Sequence, residues 1–109
     1  MISVATWNIN SVRLRIDQVA RFLTEQAPDV LCLQEIKCRA EQFPYEAFAA
    51  LGYGHSAVHG QKGYHGVATV SRLPLTELAA QSVSHRVVEE TRQWEQCSDH
   101  VPLITEFAL

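Results

Sequence analysis

Asp29-Val30-Leu31-Cys32-Leu33-Gln34-Glu35 is the stretch on which the fold turns. Val30 to Leu33 is an unbroken apolar run, with Pro28 just ahead of it and polar residues after it. So short a run, apolar at every position, predicts a strand buried on both faces, as in a sheet covered by helices. Gln34 and Glu35 stand at its C-terminal end, where a sheet meets solvent. A carboxylate on so stiff a support is a good mount for a hard, oxygen-seeking cation such as Mg²⁺. Taken alone, it is also what an ordinary polar strand end looks like.

Upstream, Ile2 to Asn8 reads as a strand, with Ile2, Val4, Thr6 and Asn8 on one face and Ser3, Ala5, Trp7 and Ile9 on the other. Asn8 and Asn10 project near its exit. Ser11 is placed to cap a helix whose apolar stripe is Val12, Ile16, Val19, Ala20 and Leu23, and which Pro28 ends. Strand, helix, strand is a βαβ unit and favours a parallel pair. Downstream, Phe43 to Leu51 predicts a short helix, with Pro44 in its first turn and Gly52 past its end. Tyr53–Val58 and His65–Ser71 predict strands joined by the turn Gly60-Gln61-Lys62-Gly63. Val83, His85 and Val87 alternate as a strand would, residues 92–98 read as a polar loop, and Val101–Phe107 predicts the closing strand.

Composition sets the bounds. At 109 residues the chain makes at most one modest domain. With 47% hydrophobic and 19% charged residues it is composed as a soluble globular protein. The net charge of −3 does not announce a nucleic-acid partner, so any phosphate site must be local. No apolar run approaches membrane-spanning length and no secretory leader is visible. Cys32, Cys38 and Cys97 are odd in number and form no CxxC pair, which fits a reducing cytoplasm rather than a disulfide or zinc framework.

The chemistry-bearing residues fall at strand ends: Asn8 and Asn10 after the first, Glu35 after the second, Asp99-His100 before the last. An amide oxygen and carboxylates suit a divalent cation, and an imidazole beside them suits phosphate binding or proton transfer. Together they suit metal-assisted phosphodiester hydrolysis. Ser98-Asp99 reads equally as a chain turn. Gly60-Gln61-Lys62-Gly63 lacks the ending of a P-loop, and Lys62 with Tyr64 either grips a phosphate backbone or tips a hairpin.

Four segments together resemble the exonuclease III family of DNA-repair nucleases, within the endonuclease/exonuclease/phosphatase superfamily. They are Thr6-Trp7-Asn8-Ile9-Asn10-Ser11-Val12-Arg13, the run from Pro28 to Lys37, the run from His59 to Ala68, and Ser98-Asp99-His100-Val101-Pro102. The resemblance covers about residues 1–75 and 92–109 of a single shortened domain and leaves 76–91 as an unassigned junction. It implies Glu35 as the principal Mg²⁺ ligand (Mn²⁺ as the substitute), with Asn8 and then Asn10 close by and Asp99 as a further metal-side carboxylate. It implies His100 at the scissile phosphate, with Glu35 and Asp99 completing the catalytic set. Arg13, Lys37, Lys62, Gly63 and Tyr64 would line duplex DNA carrying abasic sites or 3′ ends. Family members are more than twice this length, and the middle region holding their water-orienting Asp-Asn pair, catalytic Tyr and histidine-supporting Asp has no counterpart here. The implied fold is α/β, half of a two-sheet sandwich: about five strands in one mixed sheet with two helices on one face. The implied function is a shortened Mg²⁺-dependent nuclease, or else an inactive half-domain that binds DNA weakly or acts as a dimeric interaction module. In the latter case a homodimer, or residues 76–90 folded over, would cover the apolar sheet face left open.

Overall fold

The computed structural model describes residues 1–60, 66–75, 81–87 and 102–108. Lys62, Gly63, Tyr64, Asp99 and His100 lie outside the described residues, as does the polar stretch 92–98. The elements run β1 (Ile2–Asn8), α1 (Ile16–Gln26), β2 (Val30–Gln34), a 3-10 turn (Ala40–Gln42), α2 (Tyr45–Ala50), β3 (His55–Gly60), β4 (Gly66–Ser71), β5 (Gln81–Val87) and β6 (Leu103–Ala108). They build one mixed sheet in the order β3-β4-β2-β1-β6-β5. The decisive stretch is its central strand, parallel to β1 and antiparallel to β4. The sheet has six strands rather than about five, because the alternation around His85 does form a strand. That strand extends the sheet edge beside β6, so residues 81–87 do not fold over the sheet face.

Cross-strand rows explain the core. Ile104, Ala5, Leu31 and Val70 stand in one row, and Trp7, Leu33, Ala68 and Val58 in the next. All but Val58 are buried, and Val58 packs against their cluster. Both helices close over this face: α1 through Val19, Phe22 and Leu23, α2 through Phe48. Phe22, which the expected stripe omitted, packs against Trp7 with ring centroids 5.1 Å apart, and Ala20 is half-buried. Phe43 stacks on Phe48 at 5.2 Å. The helix ends follow their sequence signals. Ala27, just before Pro28, adopts the left-handed conformation and returns its N–H to the Leu23 carbonyl at 3.1 Å. Gly52, with φ 93°, lets Gly52 and Tyr53 donate back to Ala49 and Phe48. The start of α1 differs from expectation. Ser11 accepts from Leu14 N–H at 3.3 Å and caps the turn ahead of the helix, while Arg15 is the helix N-cap.

The opposite face is less apolar than expected. Its rows are Val4, Val30, Ser71, His55, then Thr6, Cys32, Thr69, Ala57, then Asn8, Gln34, Val67, His59. Val30 and Ser71 are buried, Thr6, Cys32, Gln34 and Thr69 are half-buried, and Val67 is exposed. Gln34 donates to Thr6 Oγ1 at 2.9 Å, and Thr69 to Cys32 Sγ at 3.8 Å. Polar residues alternating with the core residues give this face its own hydrogen bonds, which a purely apolar face would lack. Among the described residues, Cys32 and Cys38 are free thiols, and no helix is long and apolar enough to cross a membrane.

Candidate metal and phosphate site

Parallel pairing puts the exits of β1 and β2 side by side, with Asn8 opposite Gln34. Main-chain bonds continue past the strands: Ile9 N to Gln34 O at 3.0 Å, Ser11 N to Glu35 O at 2.9 Å, Val12 N to Ile36 O at 3.1 Å. Ile9, Val12, Ile36 and Cys38 are buried and anchor the two exits from below. The residues between them carry the polar groups. Asn8 Nδ2 donates to Glu35 Oε2, and Lys37 Nζ donates to Asn10 Oδ1.

The backbone here is unusual. Asn10, Ser11, Glu35 and Lys37 have φ of 50°, 86°, 52° and 55°. The described residues hold one further non-glycine residue of this kind, Ala27 at the helix end. Left-handed non-glycine residues cost about 1–3 kcal/mol each outside favourable cases such as Asn, and they gather where side chains must be aimed. Each strand exit therefore turns back on itself, which brings Asn8 to Glu35 and Asn10 to Lys37.

Three cations surround the pair. Arg13 Nη2 donates to the Lys37 carbonyl at 3.4 Å, and Arg15 Nη1 donates to the Asn10 carbonyl. Lys37 is the third, so a basic rim stands beside one carboxylate in a chain of net charge −3. Beneath it the Cys38 thiol is pushed up by burial, partly offset by the Arg13 guanidinium.

The donor set fits a divalent cation. Glu35 and Asn8 offer hard oxygen atoms side by side at the two strand exits. Two protein oxygens suit Mg²⁺, which keeps much of its hydration shell. No group of three His, Cys, Asp or Glu residues able to hold an ion occurs among the described residues. The structure thus brings together Asn8, Asn10, Arg13, Glu35 and Lys37 of the expected site. Arg15 is the residue the sequence reading missed, because it lies off the apolar helical stripe and outside the strand-end pattern.

The endonuclease/exonuclease/phosphatase family profile matches residues 5–102. The chain belongs to that family. Within it, the chain is related to the exodeoxyribonuclease III and AP-endonuclease branch. It is 46% identical over 67 residues to exodeoxyribonuclease III of Haemophilus influenzae, covering 62% of this chain and 25% of that one. It is 31% identical over 96 residues to the human DNA-(apurinic or apyrimidinic site) endonuclease 2, covering 74% of this chain and 18% of that one. An AP endonuclease from Archaeoglobus fulgidus superposes with a TM-score of 0.63 at 36% identity, over 79% of this chain and 30% of that one. The 3′ phosphatase NExo from Neisseria, bound to product DNA hairpin, superposes with a TM-score of 0.63 at 36% identity, over 80% and 31%. The chain thus spans a quarter or less of the length of these curated relatives.

Proposed function

We propose that this chain is a half-domain of the family that binds a divalent cation and the phosphate backbone of duplex DNA weakly, without turning the DNA over. The Asn8–Glu35 pair carries the reading. Two oxygen donors can seat a hydrated cation beside a basic rim, and the cation would neutralise charge on a phosphate oxygen. The chain carries no counterpart of the water-orienting Asp-Asn pair that the family resemblance implies, and positioning of that kind supplies much of a hydrolase's rate. Arg13 and Lys37 would meet phosphates, with Lys62, Gly63 and Tyr64 continuing the same line. DNA as partner is supported by the Neisseria relative, whose structure holds a DNA hairpin, and by the abasic-site name of the human relative.

The test is a labelled duplex with one abasic site, in Mg²⁺ or EDTA, with wild type beside Glu35→Gln. The expected outcome is weak, salt-sensitive binding whose Mg²⁺-dependent part is lost in Glu35→Gln, with no product in either protein. A second reading is favoured by the 46% identity to exodeoxyribonuclease III. In it Glu35, Asn8 and Asp99 hold Mg²⁺ or Mn²⁺, His100 handles the proton, and the chain cleaves at abasic sites or removes 3′-terminal nucleotides. Metal-dependent product that disappears in both Glu35→Gln and His100→Ala would establish that reading and overturn the first. We also place the chain in a reducing cytoplasm, on the ground of three cysteines without a CxxC pair. A homodimer across the open sheet face is tested by light scattering over a concentration series, where a constant monomer mass would dismiss it.

A further inference from the structure

We infer that Arg15 is a positioning residue for the Lys37 ammonium: acting through Asn10, it fixes the direction in which that ammonium meets a DNA phosphate. The inference rests on the DNA-binding reading above and deepens it. Arg15 Nη1 donates to the Asn10 main-chain carbonyl, and Asn10 Oδ1 accepts from Lys37 Nζ. One residue thus carries the guanidinium on its backbone and the ammonium on its side chain. Asn10 is left-handed, and so is Ser11 after it. Asn tolerates that conformation, but Ser11 at φ 86° is strained, and the pair persists only where its surroundings hold it.

Arg15 is well placed to hold it. Its own N–H donates to the Ser11 carbonyl at 3.3 Å, and its carbonyl accepts from Val19 N–H at 3.0 Å, which fixes the residue to the start of α1. Its Nε is buried without a hydrogen-bond partner among the described residues. A buried, unpaired guanidinium N–H is unfavourable. An apolar residue at this helix entry would avoid that cost, so packing alone does not explain an arginine here. What the guanidinium uniquely supplies is a rigid, permanently charged donor aimed at the Asn10 carbonyl. Without it, the Asn10 peptide is free to rotate, its amide swings away, and the ammonium loses the Asn10 acceptor.

The chain has only two lysines, Lys37 and Lys62, which makes the test clean. Reductive ¹³C-methylation labels both lysines and the N-terminus and leaves their charge, so each reports its surroundings in an NMR spectrum. Wild type is compared with Arg15→Ala, Arg15→Gln and Asn10→Gly, below the unfolding midpoint of each. The Lys37 signal should move in Arg15→Ala to where Asn10→Gly places it, with Lys62 unmoved; adding Arg15→Ala to Asn10→Gly should move it no further. Arg15→Gln serves the same purpose if the alanine variant fails to fold. In parallel, duplex binding is read by anisotropy in a double-substitution cycle. Loss of Arg15 should weaken binding about tenfold, as for a charge-assisted hydrogen bond, and by less than about twofold in the Lys37→Gln background.

A Lys37 signal unchanged by loss of Arg15 overturns the inference, and so does a full, additive loss of affinity without Lys37. If wild type binds no duplex at all, the DNA-binding reading fails, and the Lys37 signal alone then decides whether Arg15 directs the ammonium.

Discussion

At Gly60 the chain has no room for a single added carbon. A Cβ there would lie 2.3 Å from the Ala40 amide nitrogen and 2.5 Å from the Arg39 carbonyl carbon, both main-chain atoms. Backbone cannot swing aside as a flexible side chain can. Gly60→Ala must therefore prise the end of β3 from the 3-10 turn, and we expect a loss of about 1–3 kcal/mol, as for an overpacked core site. Urea denaturation measures it directly; an unchanged midpoint would mean that the two segments separate freely. Sequence reading took Gly60 for a turn residue, because turn chemistry is local and a contact twenty positions away leaves no periodic trace. Glu35 and Asn8 were legible for the opposite reason. Both sit at ends of adjacent, strongly patterned strands, so parallel pairing puts them within reach, and the left-handed turn at Glu35 completes the approach. The left-handed Asn10, Ser11, Glu35 and Lys37 were not legible, since no glycine marks them and their conformation is held by contacts from other segments.

Between elements, the end of the sheet away from the site is tied by one carboxylate. Asp29, just ahead of β2, accepts from Ser3 N–H of β1 at 2.8 Å and from Arg72, just past β4, at 2.8 Å. Arg72 also donates to the Ala27 carbonyl at 3.0 Å and lies over the Tyr53 ring at 5.8 Å, while Tyr53 OH donates to the Pro28 carbonyl. The two partners are unequal. The Arg72 side chain is 40% exposed and the Asp29 side chain 24%, so solvent screens their ion pair. Arg72→Ala should therefore cost below about 1 kcal/mol and lose its effect in high salt. Asp29→Ala also strands a main-chain N–H in β1 and should cost about 1–3 kcal/mol in either salt. Equal, salt-sensitive losses in both variants would show instead that the ion pair alone ties the three strands. The elements themselves were mostly readable, since apolar runs, Pro28 and Gly52 marked their limits. The late start of α1 was not, because Val12 keeps helical spacing with Val19 although it belongs to the strained turn.

Across the whole molecule, stability should fall in alkali, for a reason that spans the fold. Two buried acids sit at opposite ends of the sheet. Burial raises the Cys38 thiol, with Arg13 pulling it partly back. Burial also raises the Tyr53 phenol, with Arg72 lowering it and Asp29 raising it. Both groups are neutral when protonated, and the folded state holds their protons more tightly than the unfolded one. The unfolded chain releases them first, near the ordinary values of 9.0 for the thiol and 10.0 for the phenol. Their contribution is fully present below those values and is lost as pH rises through the higher folded ones. Urea midpoints taken from neutral pH into this window should fall, and Cys38→Ala with Tyr53→Phe should flatten the fall. Arg13 sharpens the test. Its guanidinium favours the thiolate, so Arg13→Ala should raise the folded thiol further and steepen the thiol's share of the decline, while the same substitution removes a phosphate contact and weakens duplex binding. A shallower decline in Arg13→Ala would mean that the guanidinium does not face the thiol in solution, and that the basic rim is not seated over Cys38.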